Sequence, residues 1–542
     1  MKALKTPFSR RLMGSGINAW AGIVLLAIVL FPMTPAKAQP PPFRWVAQAG
    51  SSFDDFSRGV ATDSAGNSYV TGAFHDVANF GQTTLASSGG YDIFVAKYDS
   101  EGNALWASQA GGSGFDDYGL AIAADSAGNC YVTGAFSGQA TFGDNIFNNL
   151  GGSDIFVAKY DTDGNLLWAK QAGGVSLNSG RGIAVDAAGN CYVTGVFQGT
   201  GPFGNTNLTA HSLVDYDVFV AKFDPMGELV WVQQAGGNLD DVGYGIAVDA
   251  AGNSSVTGYF KSPTATFGSV TLTNNAGTNS PDVFVARYNS DGQLLWAKRA
   301  GGADFDSGYA VAVDPAGNSF VSGVFSGTAA FGAFALTNSP GATHFLAKYS
   351  SAGNPLWAQK VNGGADDGSG VVAADAAGNS YLTGWFSGTA SFGSTNLTSR
   401  GLDDLFVAKF DSAGRQLWVK QAGGSDYDRG YGLAVDTKGN CYTAGFFAGT
   451  TVFDNFTLTS YGGYDSFAAR LDGPSLSISR VGDQIVLAWP TNAAGLVLQT
   501  ASGLAAPLNW LNSTATPVVV GQENCVTIRI SSGNGFYRLR NP

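Results

Sequence analysis

A large all-β fold is predicted by three features of this 542-residue chain. Glycine is abundant, at 76 residues, yet aromatics reach 12% and charged residues only 13%. The glycines therefore punctuate runs rich in Tyr, Phe, Trp, Val and Ile, whereas disordered chains are poor in such residues. Those runs alternate apolar and polar positions and are joined by turns such as Ser-Ala-Gly-Asn and Thr-Asp-Gly-Asn, the pattern of short strands in hairpins. Finally, the pattern recurs. Trp45, Trp106, Trp168, Trp231, Trp296, Trp357 and Trp418 are spaced 61, 62, 63, 65, 61 and 61 residues apart, and periods of this kind mark solenoids or propellers.

Each repeat contains four strand-like runs. In the second complete unit these are LAIAAD (120–125), CYVTGAF (130–136), DIFVAKYD (154–161) and LLWAKQ (166–171). Short Gly-containing turns join the first two and the last two, because Gly accepts the positive φ that a tight hairpin needs. A longer Gly-rich segment with a repeated Phe-Gly, here Phe142-Gly143, joins the second to the third. Four antiparallel strands repeated around an axis make a β-propeller blade, and seven repeats suit the usual blade count.

The phrases GIAVDAAGNCYVTGVF (182–197) and DVFVAKFDPMGELVWVQQAGG (217–237) resemble the SBBP-type β-propeller repeat of exported bacterial proteins. The resemblance covers 43–472 and implies a propeller, but no particular reaction. The strand order also resembles the NHL-type blade, which implies that the GIAVD-like strand is innermost and the Trp strand outermost. On that assignment the last repeat lacks an outer strand, and FRWVAQAG (43–50) is a spare one at the beginning. The expected fold is thus all-β: a seven-bladed β-propeller over 43–472, closed by an N-terminal outer strand, then a small β-sandwich.

The flanks differ from the repeats. Residues 1–38 read as a signal peptide: Lys2, Lys5, Arg10 and Arg11 precede an apolar run from Ala19 to Phe31, and Ala36-Lys37-Ala38 fits a cleavage site. Thirteen apolar residues are too few to span a bilayer comfortably, and no later segment is apolar enough to be transmembrane. Residues 39–42 form a short Pro-rich lead. Cleavage near Ala38 predicts a secreted or cell-surface protein and moves the formal charge from −12 to −17, which argues against nucleic-acid partners. Residues 474–542 lose the repeat and carry a net +2. Their short strands, with Trp489 and Tyr537 as core aromatics, resemble immunoglobulin- or fibronectin-III-like C-terminal modules.

Most repeated residues read as structure. The tryptophans suit wedges between blades, and the D-x-x-G-N turns suit Asp bonding to its own backbone. Cys130, Cys191 and Cys441 share one repeat position, too far apart in a propeller for disulfides, so they and Cys525 are expected unpaired. The loops leading into the inner strands carry Asp116-Asp117, Asp240-Asp241, Asp304 with Asp306, Asp366-Asp367, and Asp426 with Asp428. This acidic face could hold Ca²⁺, against the plainer expectation of a solvated rim with Asp–backbone hydrogen bonds. His344 is read as standing where other units have Asp; with Arg181, Lys261 and Trp385 it marks a departure from symmetry where a ligand would sit.

No nucleophile–base pair, zinc motif or phosphate loop occurs in the sequence. The reading is an exported, non-catalytic, monomeric binding or scaffold module for a protein or glycan partner, with no cofactor beyond Ca²⁺. The alternative is a secreted polysaccharide lyase or hydrolase using Asp residues of the loop-rich face.

Overall fold

The computed structural model describes residues 40–113, 115–275, 280–361, 370–473, 476–490, 497–501, 510–520, 523–529 and 535–540. The expected signal peptide and the pair Asp366-Asp367 lie outside them. The described residues form an all-β structure with no helix, and its strand ladders are antiparallel.

One unit explains the rest. Strands β1 (Phe43–Gly50), β2 (Phe56–Thr62), β3 (Ser68–Phe74), β4 (Val77–Phe80), β5 (Thr83–Ala86), β6 (Asp92–Tyr98) and β7 (Ala104–Ala110) open the chain. A four-stranded sheet runs β2-β3-β6-β7. Its middle strands SYVTGAF and DIFVAKY are buried at every position, because neighbouring units cover both faces. A strand covered on both sides reads as a continuous apolar run instead of an alternating one. The connection between β3 and β6, expected as a longer Gly-rich segment, contains the β4–β5 hairpin. It carries the buried Phe80 and pairs with β1, Ala49 opposite Phe80.

Repeated turns are bonded internally, and repeated strand residues tie one unit to the turn of the next. Asp63 accepts from the backbone N–H of Ala65 and Asn67 at 2.9 Å and from the Asn67 side chain at 2.7 Å, while Gly66 supplies φ +89°. The Trp45 indole donates to Ser100 O, Trp106 to Thr162 O and Trp168 to Pro225 O, at 3.0–3.1 Å. Each ring lies over the glycine of the turn that it reaches: a Cβ on Gly102 would stand 2.6 Å from the Trp45 ring. The repeated basic residue reaches the same turns, Lys97 Nζ donating to Thr162 O at 2.9 Å and Arg470 to Ser100 O at 2.6 Å.

The N-terminal strand takes the predicted partner. β1 pairs antiparallel with Phe456–Leu471, Trp45 opposite Arg470 and Ala49 opposite Ser466. The other edge of that strand pairs with Cys441–Phe453. β1 therefore holds the outer place filled elsewhere by a strand from the same repeat.

The C-terminal region has one sheet containing Ser477–Val481, Gln484–Pro490, Glu523–Arg529 and Val518–Val520, and a second with Leu511–Asn512, Val497–Ala501 and Phe536–Arg540. Leu487, Trp489 and Val526 of the first meet Leu498 of the second in a buried cluster, with Tyr537 packed against it. All four cysteines are free thiols; Cys130, Cys191 and Cys441 are buried and Cys525 is half-buried.

Candidate functional site

A channel mouth runs through the middle of the repeats. Its walls are the first strands of the units, from β2 round to Asp428–Val435, and they enclose about 210 Å³. In six of these strands the pairing slips at one equivalent place, as between Ser57 and Gly59 or between Gly180 and Gly182. Such a bulge leaves one residue out of the ladder and re-aims its side chain. The bulged residues are Arg58, Leu120, Arg181, Tyr244, Tyr309 and Tyr431, and all six line the channel.

The repeated glycine of the second strand permits the slip. A Cβ on Gly72 would stand 1.7 Å from Phe56 O, and one on Gly258 1.8 Å from Val242 O, so only glycine fits opposite the bulge. The frame is the same in these six units, whereas the residue aimed into the channel is not. Two arginines and three tyrosines face one cavity, an arrangement suited to binding.

The arginines are held by rings. Arg58 lies 4.5 Å from the centre of the Tyr431 ring and 5.3 Å from that of Phe56, and Arg181 lies 5.0 Å from that of Tyr244. Both Nε atoms are buried without a protein acceptor. Neither side chain forms an ion pair among the described residues, unlike Arg429, whose Nε donates to Asp403 at 2.7 Å.

Carboxylates of the acidic face are bonded to backbone N–H groups. In four described loops the second Asp is buried: Asp117, Asp241, Asp306 and Asp428 accept from the N–H of Gly112, Gly237, Gly302 and Gly424 at 2.6–3.0 Å. Burial pushes the carboxyl of each up to about 7. Of the first members, Asp116 and Asp240 accept from the N–H of Tyr91 and Tyr216 at 3.2 Å, Asp426 accepts from Tyr427 N–H, and Asp304 is exposed. The oxygens thus serve loops of their own chain. Among the described residues no group of three or more His, Cys, Asp or Glu stands close enough to hold a metal ion.

The asymmetric candidates separate. Arg181 belongs to the channel. Lys261 bonds through its backbone, its N–H donating to Asp241 at 3.0 Å. Trp385 is only 9% exposed, with Arg429 stacked 4.9 Å above it and Tyr431 at 5.0 Å, so it supports the mouth from beneath. His344 is a correction: Thr343, not His344, takes the Asp place, since Thr343 pairs with Phe325 as Asp92 does with Phe74. His344 sits one residue further on, at the position of Ile93, fully buried and 5.3 Å from Phe406. Strand alternation puts it on the opposite face of its sheet from Thr343, within the core. Arg58, Tyr244, Tyr309 and Tyr431 escaped the sequence reading. The bulged position does not stand out in the sequence, because the position two before it varies as much, from Phe56 and Tyr118 to Val242 and Arg429.

Fold and repeat together define a β-propeller repeat protein. The family model that matches is the SBBP β-propeller repeat, over residues 44–73 and 417–445. The chain is 25% identical over 511 residues to an uncharacterized WD repeat-containing protein of Acanthamoeba polyphaga mimivirus, covering 74% of this chain and 36% of that one. It is 28% identical over 166 residues to the regulatory protein FlaEY of Caulobacter vibrioides, covering 29% and 17%. The chain thus spans about a third or less of the length of these curated relatives. Among solved structures, the Neurospora crassa Pan2 WD40 domain aligns with a TM-score of 0.38 at 8% identity, covering 77% of this chain and 89% of that one.

Proposed function

We propose that the chain is an exported, non-catalytic binding protein: a monomeric seven-bladed propeller over 43–472 that receives its ligand at the channel mouth. The observation that carries this reading is the contrast at the bulge. Turns, docking tryptophans and buried carboxyls repeat from unit to unit, while the bulged position changes among Arg, Leu and Tyr. A packing role would favour the same residue throughout; a ligand favours a departure from symmetry.

The blade count is supported by the Trp period and by the pairing of β1 with the last repeat's third strand. The C-terminal sheets, with their shared core, suit a small sandwich that attaches or caps the propeller. Export and a place outside the cell rest on residues 1–38. Ca²⁺ on the acidic face would find its carboxylates already engaged with backbone N–H groups, so the reading assigns that face to structure.

The test is a panel of polysaccharides and exported proteins, scored on one sample for binding and for cleavage, with melting measured in Ca²⁺ and in chelator. Binding without product is expected, and the same melting temperature in both buffers. Product release from a glycan would favour a polysaccharide lyase or hydrolase, and a Ca²⁺-dependent rise in melting temperature would return the acidic face to metal binding.

A further inference from the structure

We infer that the channel mouth takes a compact oxyanion, a carboxylate or a phosphate group, held between Arg58 and Arg181. This deepens the binding reading above and rests on it.

The first argument is charge. Arg58 and Arg181 are the two cations among the channel-lining residues, in a chain with 41 acids against 29 Lys and Arg. Three other buried cations have acid partners: Arg287 meets Asp249, Lys348 meets Asp314 and Lys409 meets Asp375, while the buried Lys97 donates to Thr162 O. In the channel two guanidiniums are drawn from solvent with no acid beside them among the described residues. A half-buried guanidinium with an unmet donor is costly, and an oxyanion supplies the missing acceptor.

The second argument is orientation. Each guanidinium carbon lies over a tyrosine ring, which shields the cation on that side and holds the side chain. A planar guanidinium fork matches carboxylate and phosphate oxygens two at a time. Because the rings hold the arginines before binding, little side-chain freedom is lost on capture.

The third argument is size. The cavity of about 210 Å³ falls below the ~300–1,000 Å³ typical of sites that engulf a larger ligand. One charged group, or one acidic sugar ring at the end of a chain, suits it.

The experiment is titration calorimetry on the full chain with sodium galacturonate, inorganic phosphate and neutral galactose. Saturable binding of galacturonate or phosphate, with galactose at least roughly tenfold weaker, is expected. Galacturonate alone would point to a carboxylate source, and phosphate alone to a phosphorylated one. Arg58→Met and Arg181→Met should each weaken the anion by roughly tenfold, with Arg→Lys at either position falling between. The Lys variants keep the charge and serve if a Met variant fails to fold. Equal affinity for galactose, no saturable heat from either anion, or unchanged affinity in all variants would overturn the oxyanion site. A bound anion that is chemically turned over would instead leave this site standing and remove the non-catalytic reading.

Discussion

Asp92 and Asp117 come from consecutive units and close on one glycine: a Cβ on Gly111 would lie 2.6 Å from Asp92 Oδ1 and 3.0 Å from Asp117 Oδ2. The same clasp recurs as Asp217 with Asp241 around Gly236, and as Asp282 with Asp306 around Gly301. The third unit replaces the second Asp with Asn178, whose amide donates to Asp154 Oδ1 at 3.4 Å. In that unit an amide faces the carboxylate that a second carboxyl faces in the others.

This arrangement predicts a stability that depends on pH. Asp55, Asp117, Asp241, Asp306 and Asp428 are pushed up to about 7, chiefly by burial. In the unfolded chain an Asp titrates near its ordinary value of about 3.9. The folded state therefore binds more protons between about pH 4 and pH 7, and its stability is greatest below that window and falls as pH rises through 7. Calorimetry should give a higher midpoint near about pH 5 than near about pH 8.5; a flat or inverted profile would contradict the carboxyl pairs.

Asp92→Asn isolates the pair from the net charge of the whole chain. Asp92 Oδ2 accepts from Ser88 N–H and Gln109, whereas its Oδ1 has no donor. An amide placed there can donate to Asp117 without a proton. The variant should be more stable than the parent near about pH 8.5 and lose part of the pH dependence. Urea unfolding at two pH values checks this, and a uniform loss of stability at both would count against it.

Trp45 tests the closure. Its ring is 5% exposed and its indole reaches Ser100 from a strand held by the other chain end. Trp45→Ala should cost ~3–5 kcal/mol in urea unfolding, and deletion of 43–50 should cost more, because it exposes the strand edge as well. An unchanged unfolding midpoint in the deletion would refute closure by β1.

The thiols give a simpler check. Burial raises Cys130, Cys191 and Cys441, the last to about 12, and all three are at most 1% exposed. Only the half-buried Cys525 should react with a thiol reagent in the native protein, and four should react in denaturant. Two or more native thiols would mean that the inner repeats open.

Much of the fold was legible because its determinants are local and repeated. The tryptophans, the Asp-x-x-Gly-Asn turns and the clasp string FRWVAQAG each report a contact made many times over. The β4–β5 hairpin was hidden because four-residue strands leave few alternations to read. His344 was misplaced by one residue, and in a strand one residue exchanges the two faces. The channel tyrosines were illegible for another reason. A bulge is a property of pairing, so the residue it turns inward shows only when the opposing glycine is seen beneath it.

The most direct measurement is arginine footprinting with phenylglyoxal, read by mass spectrometry on the full chain with and without sodium galacturonate and phosphate. Arg58 and Arg181 should react in the free protein and be protected by the anion, while Arg287 and Arg429, already paired with Asp249 and Asp403, stay slow in both. Protection confined to the outer rim, such as at Arg400, or no protection at either channel arginine, would contradict ligand binding at the channel mouth.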